Sequence, residues 1–262
     1  MAVTIWLRRV NRSWPDILRD APPGLVHPRG ASWVVARAPE ATTGIQLGES
    51  GGDLFFRLPL FIGASELAQA ATLVPMALAA SGGELEVSAQ PVPSALWPHA
   101  LARIAAKLSD AALAEIPGLL ASPGTCFQVE GWQRPYYLGQ VTLNHLLRIV
   151  APAELLERLR LVIAALQAYP ADSVATVESI EREGRRVSHA TWDPASERLI
   201  PPCDELTIRH RDVVWRVGHA RLPEVIPPHG TRLDDYHWLA LPPASHDLAA
   251  LMARAEAAAI KL

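Results

Sequence analysis

Hydrophobic and polar positions alternate over the first residues, with Val3, Ile5 and Leu7 set between Thr4, Trp6 and Arg8, and this period of two predicts an opening strand. Asp53-Leu54-Phe55-Phe56-Arg57-Leu58-Pro59-Leu60-Phe61 is a denser apolar run that also reads as a strand. From Ser65 the period lengthens, and Leu67, Ala71, Val74 and Leu78 recur at helical spacing. The Ser65 hydroxyl is suited to capping free amides, and Glu66 meets the positive end of the helix. Ser81-Gly82-Gly83 supplies a stop before the alternating Leu85 and Val87 of another strand. The stretch predicts a β-α-β unit, with a kink or split at Pro75, which removes an internal helical hydrogen bond. Ser32–Arg37 and Thr43–Leu47 are strand candidates ahead of it, joined to it by Gly48-Glu49-Ser50-Gly51-Gly52-Asp53.

Gln90-Pro91-Val92-Pro93 marks the best early boundary. Ser94 is then placed to cap a helix carrying Trp97, Leu101, Ile104, Ala105 and Leu108 on one face. Asp110 is placed to start a second, shorter helix through Leu113, Ile116 and Leu119. The widest apolar stripe runs from Pro152 to Ala168 through Leu155, Leu156, Leu159, Val162, Ile163 and Leu166. After Asp172 the period returns to two. It predicts strands around Val174–Ile180, Val187–Trp192, Glu205–Arg209 and Val213–Val217, and a last helix holds Leu248, Leu251 and Met252. These patterns predict an α+β fold, with mixed or antiparallel sheets packed against helices. The order fits an N-terminal α+β lobe at residues 1–90, then helices, a C-terminal sheet and a terminal helix over 91–262, as two related lobes; one continuous domain is the alternative.

Half of the 262 residues are apolar, enough for a sizeable core. Lys and Arg number 24 against 27 Asp and Glu, so the net charge of -3 provides no cationic field and disfavours nucleic acid as a partner. Cys126 and Cys203 are too few for a disulfide framework and are expected as reduced thiols. The opening MAVTIWLRRV places charge after the apolar residues, unlike a secretory signal, and no apolar stretch reaches bilayer length. A cytoplasmic protein without membrane contact is the expectation.

Candidate chemistry is sparse. The nine histidines include no HExxH spacing, and 76 residues separate the two cysteines, so neither a metal centre nor a cofactor is expected. Gly48-Glu49-Ser50-Gly51-Gly52 matches the letters of the G-x-S-x-G nucleophile elbow, but Asp53-Leu54-Phe55 after it predicts a strand where the elbow requires a helix. Ser50 with His237 as base, and Asp235 two residues before His237 to orient it, define a hydrolase alternative. The favoured reading is partner binding. Trp132, Arg134, Tyr136 and Tyr137 bring rings and a guanidinium together where no regular period accounts for them, a composition suited to an interface anchor, with Asp234 and Asp235 as a second, acidic patch. In composition, many short elements and lack of a catalytic motif, the chain broadly resembles the compact immunity proteins paired with bacterial toxins. That resemblance rests on no defined motif; it implies a protein partner, a toxin that is sequestered, and no catalysis.

Overall fold

The computed structural model describes residues 2–19, 21, 24–182 and 184–260. The chain separates into two units, Met1–Ala168 and Tyr169–Leu262. The first begins with β1 (Ala2–Arg8) and a single-turn α1 (Trp14–Ile17), followed by two hairpins, β2 (Val26–Arg29) with β3 (Ser32–Val35) and β4 (Ile45–Ser50) with β5 (Asp53–Pro59). Then come α2 (Ala64–Ser81), the hairpin β6 (Glu84–Val87) and β7 (Gln90–Pro91), and α3 (Trp97–Ala121). The unit closes with the hairpin β8 (Cys126–Val129) and β9 (Tyr136–Gly139), α4 (Gln140–Leu147) and α5 (Leu155–Ala168).

Seven of these strands form one antiparallel sheet in the order β2-β3-β4-β5-β1-β6-β7. The predicted β-α-β unit is present, but its strands are not neighbours: β1 lies between β5 and β6 and is antiparallel to both, so β5 and β6 run in the same direction one strand apart. Alternation settles the faces. Val3, Ile5 and Leu7 of β1 and Leu54, Phe56 and Leu58 of β5 are buried, whereas Trp6 and Phe55 meet edge to face at 5.3 Å among the half-buried residues of the opposite face. Arg8 lies 4.3 Å over the Trp6 ring and is ion-paired with Asp53 and Glu86. The Arg8-Arg9 pair is thereby engaged within the sheet, with Arg9 bonded to Glu84.

Three helical expectations are corrected. The N-cap of α2 is Gly63, not Ser65, and Glu66 at the third helical position reaches back to it. Pro75 lies inside a helix of 18 residues rather than between two, and Asp110 lies within the 25-residue α3 rather than at the start of a second helix. The buried stripe of α3, Leu101, Ile104, Leu108, Ala112, Ile116 and Leu119, keeps one phase across Asp110, and packing therefore overrides the local capping preference. The break expected near residue 90 falls inside the first unit, where β7 continues the large sheet.

The β6–β7 hairpin has the two-residue turn Ser88-Ala89, with φ of 54° and 62°. Such turns favour Asn-Gly because side chains resist the left-handed region. The double change Ser88→Asn with Ala89→Gly should stabilise the protein by about 1 kcal/mol, measured by urea unfolding. A loss of stability would show that the native side chains make contacts outweighing the backbone strain.

The second unit holds β10 (Val177–Arg182), β11 (Arg185–Trp192), β12 (Arg198–Ile200), β13 (Glu205–His210), β14 (Val213–Gly218), a short α6 (Leu222–Val225), β15 (Gly230–Arg232), β16 (Trp238–Ala240) and α7 (Leu248–Ala258). One sheet runs β10-β11-β13-β14, mixed because β11 and β13 are parallel; a three-stranded antiparallel sheet runs β12-β16-β15. Trp192, Leu206, Ile208, Val217, Trp238 and Leu251 belong to a single buried core. The molecule is thus α+β, with antiparallel and mixed sheets packed against helices. Among the described residues, no helix is long and apolar enough to cross a membrane.

Candidate functional site

The segment at residues 131–137 is held from within. Gln167 of α5, wholly buried, accepts the Gln133 and Arg134 amides on Oε1 at 2.9 and 3.0 Å and donates Nε2 to the Arg134 carbonyl at 2.9 Å. A Cβ at position 131 would lie 2.3 Å from the Gln167 nitrogen, so the sequence needs Gly131 where this loop crosses the helix. Arg134 donates Nη1 to the Leu166 carbonyl near the end of α5, where helical carbonyls lack amide partners. Trp132 packs on Val34, Ala36 and Ala41, with the His27 ring at 4.8 Å. Tyr136 is fully buried and Tyr137 half-buried on the β9 strand. The expectation of an exposed aromatic hot spot is therefore corrected for Tyr136, which offers no surface, and Trp132 and Arg134 carry structural contacts that alanine would remove.

The polar pair in the second unit is also rearranged. Asp234, not Asp235, holds the imidazole: its Oδ2 lies 2.8 Å from His237 Nδ1, and its Oδ1 accepts the Tyr236 and His237 amides at 2.8 and 2.6 Å. Both side chains are buried, so Asp234 is not part of an accessible acidic patch; Asp235 is half-buried, and its carbonyl accepts a bond from Arg232. An Asp bonding amides two and three residues ahead closes its own turn, which accounts for the pair without chemistry.

Ser50 belongs to the first unit and His237 to the second. Each letter of the Gly48–Gly52 match has a local explanation. Gly48 lies under the Phe55 ring, where a Cβ would come within 2.3 Å, and its carbonyl accepts Trp14 Nε1 at 2.8 Å. Glu49 accepts the Trp14 amide at the start of α1. Ser50 is the last residue of β4, paired across the hairpin with Asp53, and the left-handed Gly51 and Gly52 make the turn. A strand follows and no helix does, so the strand-turn-helix context of an elbow is missing.

Cys203 is buried, and its thiol is pushed up to about 12 by burial and then by the Asp204 charge. It should resist iodoacetamide in the folded protein at about pH 8 and react on denaturation, as read by mass spectrometry. Alkylation of Cys203 itself in the folded protein at the rate of a free thiol would contradict that placement. Among the described residues, no group of three or more His, Cys, Asp or Glu is gathered in a way that could hold a metal ion.

A concave feature lies elsewhere in the first unit, between the β6–β7 hairpin and α3. A groove of about 940 Å³ is lined by Val3, Val87 and Ser88, by Gln90-Pro91-Val92-Pro93, by Leu96 at the start of α3 and by one flank of α3 from His99 to Asp110. The hairpin turns at Ser88-Ala89 into the edge strand β7, and the chain continues through Pro91 and Pro93 into α3, so the proline-rich connection forms one wall. Apolar side chains dominate this surface: Val87, Val92, Ala100 and Ile104 accompany Leu96, which is 51% exposed. Sequence patterning identified the buried stripe of α3 but passed over this second flank. Its trace was the four-residue recurrence of His99, Arg103 and Lys107 beside Leu96 and Ala100.

No protein-family model, curated protein or solved structure matched this chain in the comparisons.

Proposed function

We propose that this is a partner-binding protein that receives an apolar segment of another protein in the groove between β7 and α3. The observation that carries this reading is the groove itself: about 940 Å³, walled by a sheet-edge hairpin and a long helix, with a half-exposed leucine in its lining. Concave apolar surface of this size, laid along a helix flank, suits a segment presenting aliphatic side chains. The reading moves the binding surface away from Trp132 and Arg134, whose bonds to α5 and packing on the β3 side serve the fold. An immunity-type protein that sequesters a toxin is the specific form proposed for it.

Leu96→Asp provides the test, because an exposed residue can be changed with little effect on folding. Affinity-tagged wild type and variant, purified from cells of the source species, should differ in one co-purifying protein, with retention reduced at least about tenfold by the variant at unchanged thermal unfolding. If the captured protein arrests growth when expressed alone, wild type should restore growth and Leu96→Asp should not. Equal retention by the two proteins would overturn the groove as the binding surface.

A further inference from the structure

We propose, on the reading that this groove is the docking surface, that its occupant is an acidic amphipathic peptide segment, with aliphatic side chains on the groove floor and carboxylates facing Arg103 and Lys107. His99, Arg103 and Lys107 are exposed and follow one another at four-residue intervals on α3. At 1.5 Å rise per residue they form a stripe of about 12 Å along the groove, with about 6 Å between successive members. Among the described residues, no carboxylate lies within ion-pair distance of Arg103 or Lys107. Arg8 and Arg9 of the same unit, by contrast, are satisfied by Asp53, Glu86 and Glu84. Two free cations beside an apolar floor, on a chain of net charge -3, are a local feature that its composition does not announce.

The arrangement discriminates among anions. A single phosphate or carboxylate is bound where several donors converge on one point, whereas these charges are strung along a helix. Single-stranded nucleic acid needs rings on which bases stack, and among the described residues the lining contains no Phe, Tyr or Trp. A segment with carboxylates about 6 Å apart, four residues apart if helical, meets Arg103 and Lys107 in turn while its aliphatic face covers Leu96, Ala100 and Ile104. Asp110, one turn beyond Lys107, disfavours a third carboxylate at that end and gives the occupant a direction.

Three labelled helical peptides of one design test the proposal, with leucines on one face and Glu, Gln or Lys flanking them. Fluorescence polarisation with the whole chain should show the Glu peptide binding at least about tenfold tighter than the Gln peptide and the Lys peptide weakest, with the margin shrinking as salt rises from about 0.05 to 0.5 M. Arg103→Glu with Lys107→Glu should reverse the order of the Glu and Lys peptides, at an unchanged circular dichroism spectrum. Equal binding of the Glu and Gln peptides, both lost in Leu96→Asp, would overturn the acidic occupant while leaving the groove as the docking surface. Binding that Leu96→Asp does not alter would overturn both. Absence of peptide binding, or sedimentation with phosphatidylglycerol vesicles that the double reversal abolishes in its place, would overturn the peptide assignment.

Discussion

Glu66→Ala is expected to cost about 3–5 kcal/mol of unfolding free energy, the range found when a buried charged group is removed from its partners. The side chain is wholly buried, yet its carboxylate is surrounded by donors. Oε1 accepts the Thr42, Thr43 and Gly44 amides and the Thr42 hydroxyl, and Oε2 accepts the Gly63 amide at the N-cap of α2. The loop at 42–44 leads into β4 and has no ladder of its own at this point, so Glu66 replaces the strand partner that its amides lack. Alanine would leave these donors buried and unmatched, and the penalty for each is about 1–3 kcal/mol before relaxation. Glu66→Gln separates charge from shape: one carbonyl oxygen can still serve the loop, but the amide nitrogen faces the Gly63 N–H, donor against donor. It should lose about 1–2 kcal/mol, less than alanine. Urea unfolding of the two variants checks the order; equal stability of Glu66→Ala and wild type would remove Glu66 from its place as the clasp between loop and helix.

That clasp shows how far a linear reading reaches. Glu66 was legible as an acidic residue in a first helical turn, because that preference is local. Its bonds to residues more than twenty positions earlier were not, since no period relates the two. The same division runs through the fold. Alternation located β1, β5, β13 and β14, and helical spacing located α2 and α5, each close to its observed limits, whereas α3 was read as two helices and is one. Strand order escaped, because nothing in Leu54–Leu58 or Leu85–Val87 records that β1 enters between them. At the candidate sites, local composition misled where tertiary contacts took over the same residues. Trp132 and Arg134 looked like an anchor, but Trp132 packs on Val34, Ala36 and Ala41, and α5 engages Arg134 through Gln167 and Leu166. Asp234 and Asp235 are adjacent in sequence, but the turn makes Asp234 the imidazole partner and buries it. The groove was hidden for the opposite reason: one of its walls follows a hairpin turn at Ser88-Ala89, two residues that carry no turn signature.

Two leucines of α5 give the second large effect, because they differ only in helical phase. Leu159 is fully buried and Leu161 is 62% exposed, although they are only two positions apart. On a helix that interval is a rotation of about 200°, enough to carry a side chain from the packed face to solvent. Leu159→Asp would place a carboxylate among the buried faces of Leu155, Leu156 and Ile163, without water to solvate it, and should cost more than about 4 kcal/mol, enough to leave little folded first unit in a marginally stable protein. Leu159→Ala, which introduces a cavity but no charge, should remain folded and lose about 2–5 kcal/mol. Leu161→Asp should change stability by no more than about 0.5 kcal/mol, since its charge remains in water. Thermal unfolding of the three variants therefore tests the orientation of the helix as well as its burial: similar losses at positions 159 and 161 would mean that α5 does not pack by the stripe its sequence displays.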